Sequence, residues 1–353
     1  WRLGAGTARQ GAGMRITALI LAAGVLAGPT LADAGRLTHP WPNGDALAAA
    51  EQRHVTWPSS SPFTPWDQMI GNGAPTEATG TLFLPRRAAG APPPPAVVML
   101  HGSGGVLGPR ELTYGRQFAA MGITALAIDS FAARRDRGTS FIDRLLNITE
   151  SMLLADAYAA LRWLGEQGYA DPRRVALVGF SYGAMATMYA LNEGAAAAFA
   201  PGGERFAAHA AFYGPCIASF EDERTTGAPL LILYGTEDEL IDPARCAETA
   251  ESFRRGGSEV EVIAYEGAAH QWDGGWGPRR IGSLLNGCRL HLERDGTVRD
   301  LRSGLPMAGS FSRRVILALC VERTPYLINA DPAVRERSNA DLGRFLARAF
   351  GAG

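Results

Sequence analysis

The chain contains no lysine: all 34 of its basic residues are arginine. An arginine side chain does not deprotonate in a protein, so chemistry that needs a titratable amine near neutral pH is excluded. Schiff-base enzymes, Walker-type phosphate loops, protein kinases and the Ser/Lys lactamases go with it. Net charge is lacking too. The 34 arginines face 35 acidic residues, for a formal charge of −1 and no long run of one sign, so there is no electrostatic footprint for nucleic acid or an anionic membrane surface. Cysteine is scarce, at four in 353 residues, and none stands in a C-x-x-C pair or a histidine-rich spacing, which argues against a zinc site. What remains is an ordinary globular composition, 46% hydrophobic and 20% charged, without the bias of a disordered or fibrous chain.

The amino end reads as a targeting segment. Met14 and Arg15 precede an apolar run from Ile16 to Ala27, then Gly28, Pro29 and the small-residue site Ala32-Asp33-Ala34. A basic start, a short apolar stretch and an A-x-A cut are the plan of a secretory signal. The run is too short to span a bilayer, which takes roughly 20 residues. Residues 1–13 read as an upstream extension, and cleavage near Ala34 would export residues 35–353 to the periplasm or the extracellular space, where disulfides persist. Of the three possible pairings of the four cysteines, Cys216 with Cys246 and Cys288 with Cys320 are favoured, because each closes a local loop; four reduced, buried thiols are the alternative.

Residues 35–78, rich in Pro, Trp and Gly, read as an irregular arm over the core. Thr79–Leu84 reads as a strand. Short apolar runs follow at Ala96–Leu100, Ile123–Ile128, Arg174–Phe180, Ala207–Tyr213, Pro229–Tyr234 and Val260–Tyr265. They are continuous rather than alternating, as strands buried on both faces of a parallel sheet are. Helical patterns separate them at Arg110–Met121, Arg144–Gln167, Ser181–Leu191 and Pro243–Arg254, and a last one covers Asn339–Ala349. The alternation predicts a doubly wound, mostly parallel α/β sheet in one domain, residues 79–353. It carries an added segment at 277–325, in which Cys288–Glu293 and Thr297–Leu301 form a hairpin on the Asp295-Gly296 turn.

One motif carries chemistry. Gly179-Phe180-Ser181-Tyr182-Gly183 follows a strand and opens a helix, the context in which G-x-S-x-G exposes a nucleophilic serine on a sharp turn. A serine hydroxyl needs a base. His270, in the loop after the last core strand, is the candidate; His291 falls in the hairpin, His209 in a core strand and His101 in the loop after Leu100. The base needs a carboxylate to hold its tautomer. Asp238, just after Pro229–Tyr234, is preferred over Glu237 and over Asp242, which more simply caps the helix at Pro243. An oxyanion needs two aimed donors: the amide of Tyr182 and one from His101-Gly102-Ser103-Gly104-Gly105, for which Ser103 is chosen, with Gly102 and Gly104 as rivals. Arg134, Arg135 and Arg137 follow a strand near the same edge, and Arg137 is the candidate to bind a substrate carboxylate. Trp272 and Trp276 are candidates to wall an acyl pocket.

At these motifs, H-G-S-G-G, G-F-S-Y-G, L-Y-G-T-E-D and E-G-A-A-H, the sequence resembles the dienelactone hydrolase family of the α/β-hydrolase superfamily, over roughly Thr79 to His270 and the last helix. The resemblance implies the α/β-hydrolase fold and cleavage of a small-molecule ester or lactone, with Ser181, Asp238 and His270 as nucleophile, acid and base. No metal or organic cofactor is implied. The founding members use cysteine where this chain has Ser181, which points away from dienelactone itself and toward a broader serine esterase. The signal segment, the cysteines and the 277–325 insertion resemble exported relatives. Two other readings share these motifs: a prolyl-oligopeptidase-like peptidase, against which stands the absence of a large all-β amino-terminal domain, and a binding protein that keeps the fold without the chemistry.

Overall fold

A computed structural model describes residue 37 and residues 40–351; the signal segment and its cleavage site lie outside the described residues. Eight strands form the central sheet: β1 (Glu51–Ser61), β2 (Ala74–Leu84), β3 (Ala96–Leu100), β4 (Thr124–Ile128), β5 (Val175–Phe180), β6 (Ala208–Phe212), β7 (Leu230–Gly235) and β8 (Val260–Tyr265). Their order across the sheet is β1-β2-β4-β3-β5-β6-β7-β8. β1 and β2 form an antiparallel hairpin, and β2 runs antiparallel to β4. Every other pairing is parallel. This is the α/β-hydrolase arrangement, and it places the carboxyl ends of β3, β5, β6, β7 and β8 along one rim.

Strands β3 to β7 are almost entirely buried because both faces are covered, whereas β8, at the edge of the sheet, is only partly buried and carries Glu261, so its continuous apolar reading is corrected. Val98 and Leu177 face α3 (Glu150–Glu166) and α4 (Tyr182–Tyr189), whereas Val97, Met99 and Val178 face α1 (Thr113–Ala120) and the last helix. Between α1 and α3 lies α2 (Phe141–Asn147); after α4 come α5 (Glu193–Phe199), α6 (Pro243–Arg255), α7 (Ser310–Cys320) and α8 (Pro332–Ala349). The insertion folds as expected in part. Leu290–Leu292 pairs antiparallel with Val298–Asp300 around the Asp295-Gly296 turn, and also lies parallel to Ala218–Phe220. Both favoured disulfides are present, Cys216–Cys246 and Cys288–Cys320. No helix among the described residues is long and apolar enough to cross a membrane.

Three further expectations are corrected. The stretch read as an irregular arm contains β1, an edge strand of eleven residues, and the first five residues of β2. β1 has one solvated side, tolerates Pro58, and buries little besides Trp57 and Ser61, so no apolar run marks it. The helix read over 144–167 is two. At the break, Thr149 is extended and its hydroxyl donates to the Phe63 carbonyl at 2.8 Å instead of continuing the turn. The last helix starts at Pro332, not Asn339, where Asp331 caps the Ala333 and Val334 amides at 3.0 Å each.

A buried ion pair fastens the edge hairpin to the layers beneath. Asp156 of α3 is fully buried and binds Arg134 through two bonds of 2.6 and 2.8 Å. It also accepts from Ser59 at 2.7 Å and Ser130 at 2.6 Å, so each carboxylate oxygen has two donors. Arg134 in turn donates to the Ser60 carbonyl and to Ser61. The guanidinium is thereby occupied in the core, away from the rim.

Candidate active site

Ser181 occupies the step between β5 and α4 with φ 51 and ψ −108. A non-glycine residue holds such a backbone only under constraint. The constraint is the packing of its flanking glycines. A Cβ on Gly179 would lie 2.2 Å from the Gly183 carbonyl oxygen, and one on Gly183 would lie 2.3 Å from that of Leu100. Only glycine at both positions lets helix and strand close on one another and push the serine outward. The Ser181 amide donates to the Phe212 carbonyl at 2.9 Å, pinning the turn to β6.

His270 lies in the loop after β8, and its ring is completely buried. Nδ1–H donates to Asp238 Oδ2 at 2.7 Å, which leaves Nε2 to accept the Ser181 hydroxyl at 3.0 Å. Asp238 is buried at the end of β7, and its other oxygen accepts the Leu240 amide at 3.0 Å. Glu237 is exposed, and Asp242 caps α6 through the Ala244 amide. The imidazole is wedged edge-on between Tyr213 and Tyr326, at 4.8 and 5.1 Å between ring centroids. Burial first, and then the Asp238 charge, push the Tyr326 hydroxyl up to about 12, so it stays protonated beside the pair. Among the described residues, three non-glycine residues have positive φ: Ser181, Tyr213 and Gln271. All three adjoin this one constellation, as stored strain at a functional site does.

Tyr182 is the first residue of α4, so its amide has no acceptor within the helix and lies at the helix's positive end. Ser103 and Gly104 line the same cavity as Ser181. The loop that carries them is braced by a pair that sequence reasoning missed. Glu111 accepts the Leu107 amide at 2.8 Å and Arg110 at 2.7 Å, both side chains being buried. Arg110 reaches Tyr213 at 3.4 Å, and Tyr213 donates to Asp273 at 2.5 Å. This chain of contacts links the loop after β3 to the one that holds His270. Burial raises the pKa of Asp273, against the opposing charge of Arg110. Adjacent Arg and Glu at the start of a helix look from sequence like a solvated first turn. Tyr213, by contrast, could have been sought at the carboxyl edge of β6.

The other candidates separate. Trp272 is buried away from the cavity. The left-handed turn at Gln271 sends it toward α8, where its indole N–H donates to Ser338 at 3.0 Å and its ring meets Tyr213 at 4.8 Å. Trp276 does line the cavity. Arg137 ends a short turn at Ala132–Arg137 and is not among the lining residues; its carbonyl accepts from Asn147 at 2.8 Å. His291 meets Ser219 in the hairpin. His209 is buried and bonded to the Thr187 carbonyl at 3.1 Å, and His101 to that of Gly102 at 2.8 Å. Among the described residues no three His, Cys, Asp or Glu side chains converge as a metal site.

Chemically, a hydroxyl bonded to an imidazole whose far nitrogen is held by a carboxylate can lose its proton as it attacks a carbonyl. It opens here into a cavity of about 1050 Å³. A model of the dienelactone hydrolase family matches residues 79–273. No curated protein matches the chain. Similar solved structures include a dienelactone hydrolase-like promiscuous phosphotriesterase from metagenomic libraries, at 21% identity over 64% of this chain and 84% of that one, with a TM-score of 0.44. A thermophilic esterase from Thermogutta terrifontis is 21% identical over 56% and 80%, TM-score 0.43. A puromycin hydrolase is 20% identical over 67% and 38%, TM-score 0.46.

Proposed function

Because the chain belongs to the dienelactone hydrolase family and is thereby a hydrolase, we propose that it cleaves carboxylic esters or lactones through an acyl-enzyme on Ser181. Ser181 Oγ attacks the carbonyl carbon while His270 Nε2 takes its proton, and Asp238 holds the imidazolium that forms. The negative oxygen of the tetrahedral intermediate is received by the amides of Tyr182 and Ser103. Its collapse expels the alcohol, which takes the proton from His270. A water molecule, deprotonated by the same ring, then releases the acid and restores Ser181. Nothing in these steps asks for a metal or cofactor.

The observation that carries this reading is the unbroken hydrogen-bonded line from Ser181 through His270 to Asp238 at the wall of a cavity. Its test is turnover of short-chain nitrophenyl esters, lactones and peptidyl amides, with fluorophosphonate labelling. Ser181→Ala is expected to abolish labelling and lower kcat by at least about 10⁴-fold, and Asp238→Asn to lower it by about 10⁴-fold through the wrong tautomer. Labelling that survives Ser181→Ala would place the nucleophile elsewhere, and turnover of amides alone would make the protein a peptidase. The export reading is likewise proposed. Its support is the amino-terminal pattern together with two disulfides, which persist in oxidising compartments.

A further inference from the structure

The family match ends at residue 273, but the cavity does not. Trp276, Ile281, Leu285, Leu290, Leu317 and Tyr326 all line it, and all belong to the chain beyond that point. Ser181 therefore sits under a wall built in large part from residues beyond the matched segment, and substrate choice is set by what that wall admits.

The wall is apolar and preformed. From the body of the protein, Leu146, Met185 and Ile217 complete it. The three buried charges that line it are paired: Arg110 with Glu111 at 2.7 Å, and Arg313 of α7, which donates to Glu150 at 2.9 and 3.1 Å and touches the Tyr182 hydroxyl at 3.3 Å. The Arg313–Glu150 pair ties α7 to the start of α3, and Cys288–Cys320 ties α7 to the hairpin strand, so the roof needs no substrate to assemble it. Phe141 and Ile142 continue the apolar lining outward and are 42% and 61% exposed. Arg279, Arg314 and Arg323 stand at the exposed rim, where water and salt screen them and they add little to affinity. A volume of about 1050 Å³ is at the upper end for sites that enclose drug-sized ligands and far exceeds an acetyl ester.

We propose that the 277–325 insertion makes this enzyme selective for bulky, predominantly apolar esters, whose acyl or alcohol chain lies along Leu146, Met185, Ile217, Leu285 and Leu317. This rests on Ser181 as the nucleophile. Transition-state binding then grows with each methylene the wall covers, by at most about fourfold per group, from about 0.8 kcal/mol for each buried CH₂.

The test is kcat/KM along two series, nitrophenyl esters from acetate to dodecanoate and acetates of lengthening alcohols, on wild type, Ser181→Ala, Ala318→Trp and Ile281→Trp. Ala318 is an exposed residue of α7 that lines the cavity, and Ile281, packed with Leu240 and Tyr326, lines it as well, so the two variants fill the space from separate elements. In at least one series kcat/KM is expected to rise tenfold or more by eight carbons. At least one tryptophan variant is expected to lower kcat/KM for the eight-carbon ester at least fivefold more than for acetate. Activity that depends on Ser181 but falls steadily from acetate in both series overturns the inference and leaves the nucleophile standing. So does a loss that is equal at every chain length in both tryptophan variants. Turnover unaffected by Ser181→Ala overturns both.

Discussion

The backbone strain at Ser181 makes a prediction whose sign is unusual. Replacing Ser181 by Ala removes its 3.0 Å bond to His270, at about 1 kcal/mol, but keeps the residue at φ 51. Replacing it by Gly removes the same bond and also releases the strain, which for such a conformation is about 1–3 kcal/mol. Glycine's extra freedom in the unfolded chain takes back about 0.5–1 kcal/mol. Ser181→Gly is therefore expected to be more stable than Ser181→Ala by about 1 kcal/mol, or roughly 2 °C in Tm. At Ala184, three residues on and helical, the ordinary order should hold, with Ala184→Gly below wild type by about 1 kcal/mol. The assay is thermal unfolding followed by circular dichroism or calorimetry, with no substrate and both Ser181 variants inactive. If Ser181→Gly melts below Ser181→Ala by the margin that Ala184→Gly falls below wild type, the elbow stores no strain and the argument from φ fails.

Two further predictions concern the core. Asp156→Ala strips Arg134 of its buried partner and leaves Ser59 and Ser130 without their acceptor. It should cost about 3–5 kcal/mol, roughly 5–10 °C in Tm, while kcat of the folded enzyme is unchanged. The double variant Arg134→Met/Asp156→Leu should recover part of the loss, and a Tm shift of less than about 2 °C for Asp156→Ala would contradict the reasoning. His209 is one acid-sensitive group, because burial lowers it from 6.5 to about 4. Below pH 6.5 the unfolded chain takes a proton that the folded one refuses, so stability falls from pH 6.5 down to about 4, by about 3 kcal/mol from this residue. His209→Asn, which keeps a donor for the Thr187 carbonyl, should flatten that part of the stability profile measured by urea unfolding. An unchanged slope would reject the assignment.

The parts of the molecule that could be read from sequence are those where one physical cause acts alone. β3 and β8 fall on their expected residues, Ala96–Leu100 and Val260–Tyr265, and β4 to β7 within a residue or two of theirs, since burial on both faces or the turns at their ends leave little freedom. That Ser181, Asp238 and His270 come together was legible because a parallel sheet gathers its strand ends at one rim, so position after a strand stands in for position in space. Where two causes compete, sequence is silent. β1 alternates between solvent and core and carries a proline, which hides it. Thr149 breaks a helix only because Phe63, 86 positions earlier, offers a carbonyl. Trp272 and Trp276 look equivalent until the backbone at Gln271 sends one inward, and Arg134 and Arg137 differ only in which of them finds Asp156. Helix α7 is amphipathic in outline, but that its inner side would roof a cavity depends on contacts to Glu150 and Leu145, which no local pattern contains.

The second disulfide joins two points that both lie within the insertion, 32 residues apart, and the segment meets the body at many places, among them a three-residue strand pairing, Arg313 on Glu150 and on the Leu145 carbonyl, Arg280 on Glu239, the Arg294 amide on Glu221, and Arg245 on the carbonyls of residues 286 and 288. A part that is closed upon itself and contributes no strand to the central sheet behaves as a cassette. Its length and composition can drift, or be exchanged by an engineer, with the hydrolytic apparatus beneath it left untouched, and a chain of this design can acquire new substrates without relearning its chemistry.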